Sequence, residues 1–232
     1  MANQKQAAKA AAAAARRAAQ QKKDKLNKLI AIIAVLLVVG VALFFVLGDK
    51  NENSQPQAGS TDVTPTHNVT IEVQDYGAVT AELYGKAAPI TVANFVKLAN
   101  EGFYDGLTFH RIISGFMIQG GDPQGNGYGG SDEEIKGEFA QNGWLNPIEH
   151  ERGVLSMARS NDPNSASSQF FIMHDVSPWL DGAYAAFGCV TEGIEVVDAI
   201  CRNTPVTDDN GTVAKANQPV ITSIRVTEAA EK

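Results

Sequence analysis

Apolar and polar residues alternate along much of the chain from about residue 67 onward. The segment 68–74, NVTIEVQ, alternates, and Gly77 separates it from a second alternating segment, AVTAELY at 78–84. Alternation with period two is the pattern of half-buried strands, so these segments predict a hairpin. Further strand candidates follow in the order LTFHRII, FMIQGG, VLSMA, QFFIM, AAFGCV and VITSIRV.

Two segments instead carry apolar residues near the 3.6-residue period of a helix. Pro89 suits the first turn of one, which continues through ITVANFVKLANEG and stops at Gly102. The other is IEVVDAICRN at 194–203. Many short strands with two helices predict a mainly β fold over 67–230, a closed barrel with helices covering its ends.

The N-terminal part has a different pattern. Residues 29–47, LIAIIAVLLVVGVALFFVL, contain no charged or polar side chain. As a helix this segment would span about 28 Å, close to the hydrocarbon core of a bilayer. A cleaved signal peptide is the alternative, but the apolar run is longer than the usual signal core of roughly 7–15 residues. We therefore expect an uncleaved transmembrane helix, a signal-anchor in contact with the lipid bilayer.

Charge indicates the orientation of this anchor. Residues 1–50 have a net charge of +7 and residues 51–232 a net charge of −14, which together give −7. Basic flanks remain on the cytoplasmic side. We expect residues 1–28 to be a basic, Ala-rich cytoplasmic segment, 48–66 a flexible linker and 67–230 an extracytoplasmic domain of a single-pass cell-membrane protein. Its acidic balance argues against nucleic-acid binding.

Candidate chemistry concentrates in the run FHRIISGFMIQGGDPQ at 109–124. Arg111 lies there among apolar residues, and Gln119 should share a strand face with Met117. A second run, SSQFFIM, places Gln169 and Phe171 on one face. Charged groups are rarely buried without a partner, so these runs predict an apolar pocket whose rim carries guanidinium and amide donors for a ligand.

Other patterns are weaker. Gly125, Gly127 and Gly130 fit the spacing of a dinucleotide motif, but no apolar helix follows, which favours a surface loop. His150 lies between two glutamates without a metal-binding spacing, and His110 is expected to point away from Arg111 as a structural histidine. The serines of SNDPNSASS are typical of turns, and no serine-nucleophile motif occurs. We expect no metal and no cofactor. Cys189 and Cys201 are expected to be structural, with a disulfide or a free pair both open.

The sequence resembles the cyclophilin-type peptidyl-prolyl cis–trans isomerases, in a membrane-anchored bacterial form. The resemblance covers about residues 67–228 and is carried, in the family's order and spacing, by FHRIISGFMIQGGDPQGNGYGG, GVLSMAR, SSQFFI and PWLDGAYAAFG. It implies an eight-stranded antiparallel barrel capped by two helices.

The resemblance also assigns roles to residues. Arg111 matches the catalytic arginine, and Gln119 and Gln169 match glutamines that hold the substrate backbone. Ala158 and Arg159 match the pair whose main chain binds the residue before proline, although the family often has Asn in place of Arg159. Trp179 matches a tryptophan associated with cyclosporin-type ligands, and Tyr184 stands where eukaryotic members usually have His. The walls of the proline pocket are matched by Phe116, Met117, Phe171 and Leu180.

Together these features predict a prolyl isomerase that speeds the folding of exported or cell-surface proteins by rotating X-Pro bonds without covalent chemistry. Its partners would be proline-containing polypeptides. The alternative is a chaperone or scaffold that grips proline-containing segments with little turnover.

Overall fold

The computed structural model of the protein describes residues 58–230 and places the predicted hairpin within a large curled sheet. The strands are β1 Ala58–Gly59, β2 His67–Val73, β3 Gly77–Leu83, β4 Phe109–Ile113, β5 Met117–Gly120, β6 Trp144–Leu145, β7 Val154–Met157, β8 Phe170–Met173, β9 Ala186–Glu192 and β10 Ile221–Glu228. The helices are α1 Pro89–Asn100 and α2 Ile194–Asn203. Short 3₁₀ turns lie at Ala140–Asn142, Pro178–Leu180 and Lys215–Asn217.

Eight strands form one antiparallel sheet in the order β10-β2-β3-β9-β7-β8-β5-β4. Each of the eight contains residues of a segment that the alternation pattern predicted, and both helices lie where the 3.6-residue period predicted them. The prediction of a mainly β fold with eight antiparallel strands and two helices is therefore confirmed.

The prediction of a closed barrel is wrong, because no ladder joins the edge strands β4 and β10. An isolated bridge pairs Thr108 with Val220, and the Phe109 N–H donates to the Pro219 carbonyl at 3.0 Å. Pro219 has no N–H of its own and cannot continue such a ladder. The sheet is thus a curled half-barrel whose two edges meet over a short stretch, residues 106–109 against 219–221.

The two faces of the sheet carry different apolar clusters. On β8, Phe170 and Ile172 belong to the main core, which also contains Phe95 of α1. Phe171 and Met173, one position out of phase, belong to a second and smaller cluster. Since side chains alternate between the faces of a sheet, this second cluster lies on the opposite face from the core. It forms the base of the candidate site.

A buried carboxylate fixes the start of α1. Ala88 offers no capping side chain, but the Glu138 carboxylate accepts hydrogen bonds from the N–H groups of Ile90 and Thr91 at 2.9 and 2.8 Å. These are two of the N–H groups that a helix leaves without an internal partner. The contact ties α1 to the segment before β6.

The small pair β1–β6 was not predicted. Ala58 and Gly59 pair in parallel with Trp144 and Leu145. Ala58 and Gly59 belong to the segment 48–66, which was expected to be a flexible linker. The expected membrane anchor, 29–47, lies outside the described residues. Between residues 58 and 230, neither helix is long and apolar enough to cross a bilayer.

Candidate active site

A pocket of about 130 Å³ opens over the second apolar cluster. Its deepest walls are Met117, Phe171 and Leu180, whose side chains are 1, 5 and 7 % exposed. Nine of the eleven residues predicted for the site line this pocket: Arg111, Phe116, Met117, Gln119, Ala158, Arg159, Phe171, Leu180 and Tyr184. The other two, Gln169 and Trp179, contact residues of this set at its rim.

Strand register brings these residues together. Arg111 on β4 lies opposite Gln119 on β5, and Gln119 lies opposite Phe171 on β8. Met117, two residues before Gln119, therefore lies on the same face. Three neighbouring strands thus place the charged, amide and apolar groups in one row across the sheet.

A chain of hydrogen bonds runs along the polar rim. The Arg111 Nη1 group donates to Gln119 Oε1 at 3.3 Å, and Gln119 Nε2 donates to Gln169 Oε1 at 2.8 Å. Gln169 Nε2 in turn donates to the carbonyls of Gly127 and Gly129 at 3.1 and 2.6 Å. The glycine-rich loop around residues 125–130 thereby orients Gln169 directly, and Gln169 orients Gln119.

Arg111 is held from its other side by a turn between α2 and β10. Its Nε group donates to the Asn210 carbonyl at 2.9 Å and its Nη2 group to Asn210 Oδ1 at 3.2 Å. A guanidinium carries five N–H donors, so these bonds and the one to Gln119 leave two unused within the described residues. Partial burial lowers the pKa of Arg111. A guanidinium nevertheless stays protonated in proteins, so the side chain keeps its charge.

Below the pocket, a buried imidazole supports the wall formed by Phe171. The His150 and Phe171 rings stack with centroids 6.1 Å apart and planes 21° apart. His150 Nδ1 donates to the Asp181 carboxylate at 2.8 Å, and Nε2 lies 3.0 Å from Ser156 Oγ. Burial lowers the pKa of His150, partly offset by the Asp181 carboxylate. With Nδ1 as the donor to Asp181, Nε2 of the neutral tautomer is placed to accept a hydrogen bond from the Ser156 hydroxyl.

A second, polar pocket of about 470 Å³ adjoins the first and shares Gln119, Ala158 and Arg159 with it. Tyr128, 91 % exposed, stands on its rim. Trp179, 66 % exposed, packs on Phe116 of the apolar pocket with ring centroids 5.9 Å apart. An extended chain seated in the apolar pocket therefore has both polar contacts and an exposed aromatic surface within reach.

Sequence reasoning missed Asn210, Asp181 and the supporting role of His150. Asn210 reaches Arg111 across 99 positions of the chain, and Asp181 reaches His150 across 31. Polar residues in turns carry no periodic signal, so only the fold relates them to the site. The hydrogen-bond partners of the His150 ring are Asp181 and Ser156, not the flanking glutamates. No cluster of three metal-binding side chains exists within residues 58–230.

The other candidates do not line the apolar pocket. The glycines at 125 and 127 belong to a loop that the Asp122 carboxylate organises through the N–H groups of Gln124, Asn126 and Gly127. His110 is 4 % exposed, and its ring nitrogens have no partner among the described protein atoms. Cys189 and Cys201 are both free.

The arrangement suits a neutral substrate that must be held and turned. A small apolar pocket can accept one ring, the two glutamine amides can fix an extended backbone, and Arg111 places a fixed positive charge in the lining of the pocket. This geometry supports stabilisation of a polarised, non-planar amide.

Comparison with known proteins agrees with this geometry. Residues 68–228 match the family described as cyclophilin-type peptidyl-prolyl cis–trans isomerase/CLD. A peptidyl-prolyl cis–trans isomerase B of Bacillus subtilis is 53 % identical over 123 residues, which cover 53 % of this chain and 82 % of that protein. A peptidyl-prolyl cis–trans isomerase of Helicobacter pylori is 48 % identical over 126 residues, covering 53 % of this chain and 75 % of that protein.

Among solved structures, the chain is similar to a cyclophilin-type peptidyl-prolyl cis–trans isomerase of Cryptosporidium parvum. The TM-score is 0.61 at 33 % sequence identity, and the match covers 69 % of this chain and 98 % of that one. That crystal structure was determined in the presence of the dipeptide Ala-Pro.

Proposed function

The chain belongs to the cyclophilin-type peptidyl-prolyl cis–trans isomerases and has their activity, and from this premise we propose how it rotates the prolyl bond and which proteins it serves. The substrate is an X-Pro bond in a polypeptide, with the proline ring in the 130 Å³ pocket. The observation that carries the proposal is the position of Arg111 beside that pocket, braced by Asn210 and Gln119.

The barrier to be lowered comes from amide resonance. Rotation about a planar peptide bond faces about 18–20 kcal/mol, because the C–N bond has partial double-bond character. In the twisted transition state the proline nitrogen regains a lone pair, to which Arg111 donates. This hydrogen bond is unavailable in the planar ground state, so it lowers the barrier selectively.

Arg111 alone does not account for a useful rate. A hydrogen bond to a charged group contributes about 1.5–3 kcal/mol, whereas a 10⁴-fold acceleration needs about 5.4 kcal/mol. The walls formed by Phe116, Met117 and Phe171 contribute by excluding water, which favours the more polar planar amide. Gln119 and Gln169 hold the flanking backbone while the carbonyl before proline turns.

The clients are proposed to be exported or cell-surface proteins. Support comes from the uncharged segment 29–47, the basic residues before it and the acidic balance after it, which together favour an anchored chain with its domain outside the membrane. Slow X-Pro exchange limits the folding of many chains, and newly exported chains fold on that side.

The test of the chemistry is exchange of an Ala-Pro peptide measured by NMR with the full-length protein and its Arg111→Ala variant. We expect catalysed exchange with the wild-type protein and a large loss with the variant. Equal rates would exclude the proposed role of Arg111. A different result would identify a proline-binding chaperone or scaffold: the wild-type protein does not speed exchange, and the Arg111→Ala variant still suppresses the aggregation of client proteins.

The exposed Trp179 beside the pocket supports a second prediction, binding of a cyclosporin-type ligand. Titration of the wild-type protein with cyclosporin, compared with Trp179→Ala, tests it through the inhibition of exchange. A ligand that inhibits both proteins equally would show that Trp179 takes no part in binding.

A further inference from the structure

The side chain of Arg159 is held in place by main-chain carbonyls. Its Nε and Nη2 groups donate to the same acceptor, the Ala183 carbonyl, at 3.0 and 2.9 Å. Its Nη1 group donates to the Ser160 carbonyl at 2.9 Å. The guanidinium therefore joins the end of β7 to the turn that precedes β9.

Two aromatic rings complete this environment. The guanidinium carbon lies 4.7 Å from the centroid of the Tyr184 ring and 5.1 Å from that of Phe139. A planar cation over an aromatic face is attracted by the ring's quadrupole and stacks well on it. Arg159 thus contacts the ring of Tyr184 and also binds the main-chain carbonyl of Ala183, the residue before Tyr184.

These contacts reach the proline pocket through Tyr184. The Tyr184 ring forms one wall of that pocket and meets Phe171 edge-on, with centroids 6.0 Å apart and planes 79° apart. Tyr184 is half-buried, and it lies in a turn rather than in a strand of the sheet. The main chain here has its own bonds, since the Tyr184 N–H donates to the Leu180 carbonyl at 3.2 Å and the Met157 N–H of β7 donates to the Ala185 carbonyl at 3.1 Å. Arg159 adds the two bonds to the Ala183 carbonyl and the stacking contact with the Tyr184 ring.

We propose that the Arg159 side chain is a positioning residue, which holds Tyr184 and the turn at 181–184 so that the proline pocket is already formed before substrate binds. The proposal rests on the isomerase function described above. It gives the Arg159 side chain a role separate from the main-chain contact that family resemblance implies at this position. Lysine cannot replace it, because a single ammonium group neither spans two carbonyls as a fork nor stacks as a plane.

The test is Arg159→Lys in the full-length protein, with kcat and KM measured on an Ala-Pro peptide. Substrate binds only the fraction of molecules whose pocket is formed, so we expect KM to rise about five- to tenfold. The value of kcat should stay within about twofold, because the bound complex restores the pocket. A merely structural defect behaves differently, since partly unfolded protein lowers apparent kcat and leaves KM unchanged.

Arg225→Lys is the matched control. Arg225 also donates to a main-chain carbonyl, that of Ile224, and forms an ion pair with Asp105, but it lines neither pocket. We expect the wild-type KM for this variant. A double variant, Arg159→Lys with Tyr184→Leu, tests the route, because its KM should equal that of Tyr184→Leu alone if Arg159 acts through Tyr184.

Three results would overturn the proposal: an unchanged KM in Arg159→Lys, a loss confined to kcat, or fully additive effects in the double variant. Failure of the isomerase function is recognised separately. If the wild-type protein does not speed exchange, calorimetric Kd values for the same peptide and the same variants replace KM, with the same expected ratios.

Discussion

Arg111 shows how much a single residue can indicate before its surroundings are known. A cation among apolar residues predicted a ligand site, and the structure places that cation beside an apolar pocket. The sequence could not show that Asn210 holds the guanidinium through two hydrogen bonds, because the two residues are 99 positions apart. Residue identity therefore predicted a cation beside an apolar pocket, whereas the orientation of that cation depends on the fold.

His110, the neighbour of Arg111, has consequences for stability. Burial is the main cause that lowers its pKa, opposed by the nearby Asp122 carboxylate, and burial also lowers that of His150. An unfolded imidazole titrates near pH 6.5. Below that pH the two histidines bind protons in the unfolded chain but remain less protonated in the folded chain. The free energy of unfolding therefore falls as pH falls.

We predict that the free energy of unfolding decreases between pH 7 and pH 5, and that His110→Leu makes this decrease smaller. Removal of one such group can reduce the slope by up to about 1.4 kcal/mol per pH unit. Urea denaturation at several pH values measures it. At pH 8 the imidazole is neutral in both states, so the difference there reports packing alone. An identical slope in the variant would show that His110 is protonated equally in both states.

At the scale of elements, the turn at 208–211 is the support that aims Arg111. Gly211 has a φ of +80° and its backbone closely approaches β4: the Ile112 N–H donates to the Gly211 carbonyl at 2.8 Å. A Cβ added at Gly211 would lie only 2.3 Å from the Ile112 carbonyl oxygen. Only glycine fits both constraints.

We therefore predict that Gly211→Ala displaces Asn210 and lowers kcat/KM about tenfold or more, with a loss of stability of about 1–3 kcal/mol from backbone strain. Gly106→Ala is the control, because Gly106 has a similar φ of +82° but no atom near the added Cβ. Exchange rates and thermal denaturation of both variants measure the effect. Equal losses in the two would mean that strain, and not the position of Asn210, determines activity.

Elements differ in how well the sequence predicted them. The hairpin β2–β3 and the helix α2 follow directly from the periods of 2.0 and 3.6 residues, because each buries one regular face. The pair β1–β6 has two residues per strand, too few to show any period. Closure of the barrel failed as a prediction because alternation identifies strands but not whether edge strands pair, and Pro219 interrupts that pairing.

For the whole molecule, the main prediction still to be tested is its location in the membrane and the side on which the catalytic domain lies. The proposed anchor at 29–47 would leave the N-terminus in the cytoplasm and the catalytic domain outside. We predict that a protease-cleavable tag after Lys232 is removed by external protease in intact cells. A tag after Met1 should be protected until the membrane is opened, and this second tag is the control for cell integrity.

Protection of the C-terminal tag in intact cells would contradict the proposed orientation. Recovery of the chain without residues 1–47 would show cleavage and support the signal-peptide alternative. Either result would leave the isomerase chemistry unaffected, because the residues proposed for it lie between 111 and 210.

The site as a whole could be predicted from the sequence only in part. Residue patterns alone indicated an apolar pocket with guanidinium and amide groups at its rim, and resemblance to a family supplied the individual roles. The structure brings nine of the predicted residues around one pocket. The structure adds contacts that neither the residue patterns nor the family resemblance indicated. Asn210 holds Arg111, His150 and Asp181 lie under Phe171, and Arg159 binds the Ala183 carbonyl.

The central claim is that Arg111 binds the twisted prolyl bond more strongly than the planar one. It is tested most directly by NMR exchange spectroscopy on an Ala-Pro peptide saturated with the Arg111→Ala variant, with Kd measured on the same sample and Arg225→Ala as control. Loss of about 1.5–3 kcal/mol predicts an exchange rate on the protein that is about 10- to 150-fold lower, with Kd within about threefold of wild type. An unchanged exchange rate, or a Kd weakened as much as the rate, would contradict the claim.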